Sequence, residues 1–427
     1  MKKFLSYLIP SLIASVLMSM YAIVDGIFIG QKIGDSGLAA VNIGWPITSF
    51  LQSIGTALGL AGGIYSQGYI AKNEIKKAKE IKSLTLFIVA ILAIVLGLGI
   101  YLIRKPLLML LGAKDLSLTY AMQYLEIILA GSLFQMLGQA FLPLLKNSNK
   151  VKIASIASIC AIATNFTLDY VLMYPCNMNL EGAALASIIA QAVAMLICFF
   201  AYIKELVKFK FDINILKNLL KIAVAPFILT FSYATIIMIT NLFCSHYGQD
   251  EAVAAYTLLS YISYIILAIG CAVGDSIQPL FSYNHSLKQY KHNNFMLKMC
   301  YLISSVLCIL VIILVYLFKV ELGNLYNLSS EAFKIYSSGL KYYALATVFV
   351  AFIKVTSSYF YAIDAKINAN VVIIVEPFIL TPLFLFTLTA FFKLNGIWIA
   401  YLVIQCIIFI LSLILIIFNQ KNISKYI

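Results

Sequence analysis

Five carboxylates stand inside the long apolar runs of this chain: Asp25, Glu126, Asp169, Asp275 and Glu376. A carboxylate moved into hydrocarbon costs about 2.5–3.5 kcal/mol on insertion scales, so each position asks for a reason. Depth sorts them. Asp25 lies five residues before the end of its run at Gly30, and Asp169 four before an end at Met173, while Ser187 lies four past a start at Ala183. At a rise of roughly 1.5 Å per residue, all three share one layer about 6–8 Å below the same membrane face. Asn165 precedes Asp169 by one helical turn, so both project from one face. Two carboxylates, an amide and a hydroxyl at one depth are a donor set for a proton or a hard monovalent cation such as Na+. The other acids read differently. Glu126 falls near an outer helix end, where a structural role suffices. Asp275 follows Gly274 in a stretch of small and polar residues and suits either cavity lining or helix packing. Glu376, ahead of Pro377, stands at the depth of Lys354, and a structural ion pair between them is expected.

These acids need a membrane around them, and composition supplies it. Of the 427 residues 63% are hydrophobic and 11% charged, with a mean hydropathy of +0.98. A soluble domain of this length has no use for so much apolar surface. Apolar runs give twelve spans near 7–30, 38–70, 84–103, 120–145, 151–173, 183–203, 219–243, 252–283, 296–318, 341–362, 369–391 and 396–418. The second and eighth are overlong and are expected to extend past the bilayer or tilt. The first span resembles a signal peptide in its basic start, but no small-x-small cleavage site precedes Asp25, so it is read as retained. With the N-terminus inside, 21 Lys and Arg residues fall on the cytoplasmic side against seven outside, which places both termini in the cytoplasm. Basic loops beside anionic headgroups account for the formal charge of +13, so no nucleic acid partner is implied. Eight cysteines are scattered singly with no C-x-x-C pair, which argues against a metal centre or redox pair.

The spans are one unit written twice. A shift of about 215 positions brings Pro10 and Asp25 onto Pro226 and Asn241. It brings Ile54-Gly55-x-Ala57-x-Gly59 onto Ile269-Gly270-x-Ala272-x-Gly274, and Gly182, Ala186 and Gln191 onto Gly396, Ala400 and Gln405. Two bundles follow, 1–209 with six spans and 210–427 with six, parallel in the membrane and facing across a central cleft. Their chemistry differs. Asn241 replaces Asp25 in the second copy, and Leu383 replaces Asp169, so the ion chemistry is expected in the first bundle.

Several stretches together resemble the multidrug and toxic compound extrusion (MATE) family, in its DinF-like branch within the wider MOP flippase superfamily. They are Val24-Asp25-Gly26-Ile27-Phe28-Ile29-Gly30, Gly37–Ile47, Asn165-Phe166-Thr167-Leu168-Asp169, Glu181–Ser187, Gln278-Pro279-Leu280 and Asn395–Ala400. The resemblance covers essentially the whole chain and implies an all-α fold of twelve helices in two six-helix lobes. It implies export of amphipathic, often cationic, compounds in exchange for H+ or Na+, with no other cofactor, by a monomer in a bacterial inner membrane. Ion coupling would fall on Asp25, Asn165 and Asp169, the places where Na+ would bind, with Ser187 beside them. Pro10 would be the conformational hinge of the first helix. Met18, Met20, Met173, Asn241, Asp275 and Gln278 are the expected lining of a substrate cleft. A lipid-linked oligosaccharide flippase is the competing reading, but Lys354 is the sole cation offered for a pyrophosphate. An enzyme is disfavoured because His246, His285 and His292 all fall at span ends or in loops, and no G-x-x-x-x-G-K-[ST] motif implies ATP.

Overall fold

A computed structural model describes residues 2–148, 150–209 and 211–424, without the side chains of residues 2–7, 10, 14, 16–18, 21, 22 and 420–424. The described chain is helical throughout. In order the helices are α1 (Lys2–Ile33), α2 (Asp35–Ile70), α3 (Ile75–Leu110), α4 (Asp115–Ala130), α5 (Ser132–Asn147), α6 (Val151–Met173) and α7 (Asn179–Tyr202). They continue with α8 (Ile213–Ser286), α9 (Tyr290–Leu317), α10 (Lys319–Leu325), α11 (Ser330–Ala362), α12 (Lys366–Val375), α13 (Thr381–Phe392) and α14 (Leu394–Ser424).

Twelve spans emerge once three irregularities are recognised. α8 is interrupted at Gly248 and Gln249, the latter at φ 51°, so its 74 residues make two spans. α4 and α5 form one span bent by 60° at Gly131. α12 and α13 form another, joined through a π-helical turn at Glu376–Leu380. Pro377 lies within that turn and Pro382 just after it, and each removes a backbone donor from the α-helical ladder. The overlong second span is 36 residues in α2, about 54 Å at the α-helical rise. α3 is as long, because the helix continues well beyond the apolar stretch 84–103 in both directions. Between α1 and α2 the chain turns at Gly34, whose φ of +83° favours a residue without Cβ.

Two compact units result: Ser36–Met238, and Met1–Asp35 together with Ile239–Ile427. The boundary falls inside α8, and α1 groups with the C-terminal residues. In the first unit, Gly55 and Gly59 of α2 lie against the backbone of Met136 and Ala140 in α5, so close that a Cβ would collide. The opening segment of α8 lies along α2 through aromatic edges, Trp45 on Tyr233 at 6.0 Å and Phe50 on Phe227 at 5.8 Å between centroids. In the second unit, α1 is docked at Gly30 on the backbone of Tyr326 and at Gly26 on the Tyr261 ring. The Tyr326 hydroxyl donates to the Ile23 carbonyl at 3.0 Å, and Ser329 N–H donates to Asp35 at 3.2 Å. Further in, the Ser11 hydroxyl reaches the Ala272 carbonyl of α8 at 3.2 Å.

The repeat is legible in this packing. The same 215-residue shift carries Gly55 on Met136 and Gly59 on Ala140 to Gly270 on Ala351 and Gly274 on Val355, and both pairs are in contact, at 3.6 and 3.3 Å from the position of a glycine Cβ.

Candidate functional site

α6 and α7 are an antiparallel pair joined by the short turn at residues 174–178, and they pack along their length. Small residues of α7, Gly182, Ala183, Ala184 and Ala186, are buried and let α6 approach closely. That approach shields two polar side chains of α6. Asp169 is 0% exposed and Asn165, one turn earlier, is 1% exposed. The Asn165 amide donates to the Ser187 hydroxyl of α7 at 3.4 Å. A buried carboxylate and a buried amide thus stand beside a half-buried hydroxyl in the Ser36–Met238 unit. Burial of a carboxylate is expensive for the ionised form and is relieved by a bound proton or cation.

Asp25 belongs to the other compact unit, half-buried on α1 beside Gly26, where the Tyr261 ring of α8 covers the helix. Asn241, its counterpart in the repeat, is 1% exposed. Among the residues expected to line a cleft, Met173 is fully buried within its unit and Met20 is 48% exposed. The side chains of Met18 and Pro10 lie outside the described residues; Pro10 stands within α1. Asp275 is exposed, and its Oδ1 accepts hydrogen bonds from Ser358 at 2.6 Å and from Gln278 at 2.8 Å.

Two other acids have partners that differ in kind. Glu126 accepts from the Tyr101 hydroxyl at 3.0 Å and lies 3.7 Å from Arg104, an ion pair between α3 and α4 at a half-exposed position. The expected Glu376–Lys354 pair does not form among the described residues. Glu376 is buried and its Oε1 accepts from the Gln405 amide of α14 at 2.6 Å. The π-helical turn carries that side chain toward α14, while Lys354 belongs to α11.

One buried cluster has no signature in the sequence. Lys82 of α3, 5% exposed at its side chain, donates to Ser148 at 2.9 Å and lies 3.7 Å from Glu205. Lys150 pairs with the same carboxylate at 2.6 Å and donates to the Ala201 carbonyl at 2.9 Å. Both ammonium groups lie within 6 Å of the Tyr202 ring centroid, at 5.9 and 5.8 Å. Next to it Val207 N–H donates to Ser83 at 3.0 Å, so the start of the connector between α7 and α8 is tied to α3.

Twelve apolar spans, an internal repeat and a dry acid on a packed helix pair define a multi-pass α-helical membrane protein. The MatE family profile matches residues 10–171 and 222–387, and the chain belongs to that family. Multidrug export protein MepA of Staphylococcus saprophyticus is 25% identical over 295 residues, a match covering 66% of this chain and 64% of MepA. The match therefore spans just under two thirds of the length of the curated relatives. Among solved structures, a multidrug resistance MATE family transporter of the MOP superfamily in its inward-facing conformation shares the fold with a TM-score of 0.80, at 18% identity over 95% of this chain and 94% of that one. The MATE multidrug transporter DinF-BH gives a TM-score of 0.76 at 22% identity over 99% of this chain and 96% of that one.

Proposed function

We propose that this chain is a DinF-like antiporter of the bacterial inner membrane that exports amphipathic, cationic compounds in exchange for H+ or Na+, as a monomer with both termini in the cytoplasm. The multidrug export named for MepA supports the cargo class. The observation that carries the coupling is Asp169, a carboxylate with no exposed surface, set one turn from a buried amide that bonds to Ser187. Such a group drives transport only if ion and cargo favour different states of the protein, because differential affinity is the sole means by which one ligand moves another. Uptake of a proton or Na+ at Asp169, with Asp25 as the second acid, supplies that difference. Asn165 and Ser187 hold the geometry when the carboxylate is neutralised.

The test is dye movement in proteoliposomes with pH and Na+ gradients imposed separately. One of the two gradients is expected to drive transport in the wild type and to fail in Asp169→Asn at equal reconstitution. Transport that persists with every ion gradient collapsed would overturn the reading.

A further inference from the structure

The contact between α8 and α11 comes with an internal control. In the first copy of the repeat, Gly55 and Gly59 of α2 seat on the backbone of Met136 and Ala140 of α5; in the second, Gly270 and Gly274 of α8 lie against the side chains of Lys354 and Ser358 of α11, with the Ala351 and Val355 backbone just beyond. In the same register Leu60, Gly63, Gln139 and Pro143 of the first copy correspond to Asp275, Gln278, Lys354 and Ser358 of the second. The first copy closes this helix pair with no charge at all. The Lys354 stem packs on Gly270, but the equivalent contact in the first copy needs neither an ammonium nor a carboxylate, so packing explains the stem and not the charges.

Both charges stand eight residues before the inner ends of their spans, at residues 283 and 362, about 12 Å deep at the helical rise. Asp275 is exposed and held in place by Ser358 and Gln278, both bonding to a single oxygen, Oδ1. Lys354 is half-buried, its stem against Gly270, and makes no hydrogen bond or ion pair among the described residues. The two do not neutralise each other. Charges at such depth are rare and face protein or water-filled space, where they mark the path of a ligand.

We propose that Asp275 and Lys354 form a recognition pair for zwitterionic amphiphiles, Asp275 taking the cationic group and Lys354 the anionic one. The proposal rests on the export reading and narrows its cargo: a molecule carrying both charges is preferred over one carrying only the cation. Ser358 and Gln278 act as positioning residues, since each bonds to the carboxylate oxygen and leaves Oδ2 for the ligand.

The experiment uses rhodamine B, which carries a carboxylate and a cationic xanthylium, and its ethyl ester, which keeps the chromophore and lacks the carboxylate. Equilibrium binding to the purified full-length protein is read by fluorescence polarisation, and gradient-driven movement of both dyes is read in proteoliposomes. Lys354→Gln, which installs the residue of the first copy, is expected to lower the affinity ratio of rhodamine B to its ester about tenfold, or about 1.4 kcal/mol. Lys354→Arg is expected to retain the ratio. Asp275→Asn is expected to weaken both dyes about tenfold, since both carry the cation. An unchanged ratio in Lys354→Gln overturns the proposal, even where both dyes are still transported and the export reading holds. If the ratio falls in binding but no gradient moves either dye, the recognition pair stands and the export reading is lost.

Discussion

Glu205→Gln at the buried cluster of the first unit provides a quantitative test of the structure. The wild-type carboxylate serves two lysines, at 2.6 Å to Lys150 and 3.7 Å to Lys82, and its own side chain is 21% exposed. Removing one partner of a fully buried pair costs about 3–5 kcal/mol, whereas an exposed pair is worth about 0–1 kcal/mol. This case lies between. Lys82 is dry, but Lys150 is 30% exposed, and the Ser148 and Ala201 bonds remain after the substitution. The expected destabilisation is about 2–3 kcal/mol. For a chain of this size that corresponds to a fall of about 2–3 °C in apparent Tm. The assay is thermal unfolding in detergent followed with a thiol-reactive fluorophore, because Cys198, Cys244, Cys300 and Cys308 are buried and free in the folded state. Glu74→Gln is the matched control: its ion pair with Lys77, at 2.6 Å, has side chains 38% and 63% exposed. Adding Lys82→Met to Glu205→Gln is expected to recover part of the loss by removing the stranded ammonium. If Glu205→Gln melts within about 1 °C of the control, the cluster contributes no more than a surface pair and the reasoning fails.

Three further outcomes are expected. In Asp25→Asn/Asn241→Asp the number of acids is conserved but the acid moves to the other copy of the repeat, and ion movement coupled to dye export should be lost; full coupling would show that either copy can host it. Pro10→Ala restores a backbone donor in α1 and should slow turnover at equal expression, so unchanged efflux rates would assign that proline to architecture alone. Cys176, in the turn between α6 and α7, is the exposed cysteine among the described residues, and a membrane-impermeant maleimide added outside intact cells should label it. Labelling only after permeabilisation would reverse the proposed orientation.

Much of this fold is written in local pattern. Apolar runs mark the twelve spans because backbone groups in lipid must be satisfied within a helix, and the glycines of the repeat mark where two helices approach closely. Interruptions within spans are harder to read. The bend at Gly131 sits inside an apolar stretch, and the π-helical turn contains Pro377 and is followed by Pro382, a pairing that apolar-run counting passes over. The acids divide by the distance of their partners along the chain. Asn165 and Asp169 share a face by spacing alone, and both are buried. Glu376 chooses Gln405, 29 residues away, and Lys82 finds Glu205 across more than a hundred residues; tertiary packing sets such pairs, so span depth misassigned the first and gave no hint of the second. The grouping of α1 with the C-terminal residues is likewise a property of contacts and left no mark in composition.

The glycine seats at equivalent places in the two copies have an evolutionary consequence. After a duplication, a glycine at a helix crossing leaves room that the facing helix can fill with backbone or with a side chain. In the first copy Gly59 is filled by the Ala140 backbone, and in the second Gly274 is filled by Ser358 and Gly270 by the stem of Lys354. The same glycine frame thus admits Gln139 in one copy and Lys354 in the other, or Leu60 and Asp275. A lineage built this way can try new charges in one copy and keep the other as an unchanged template, so new cargo chemistry arises without refolding the molecule.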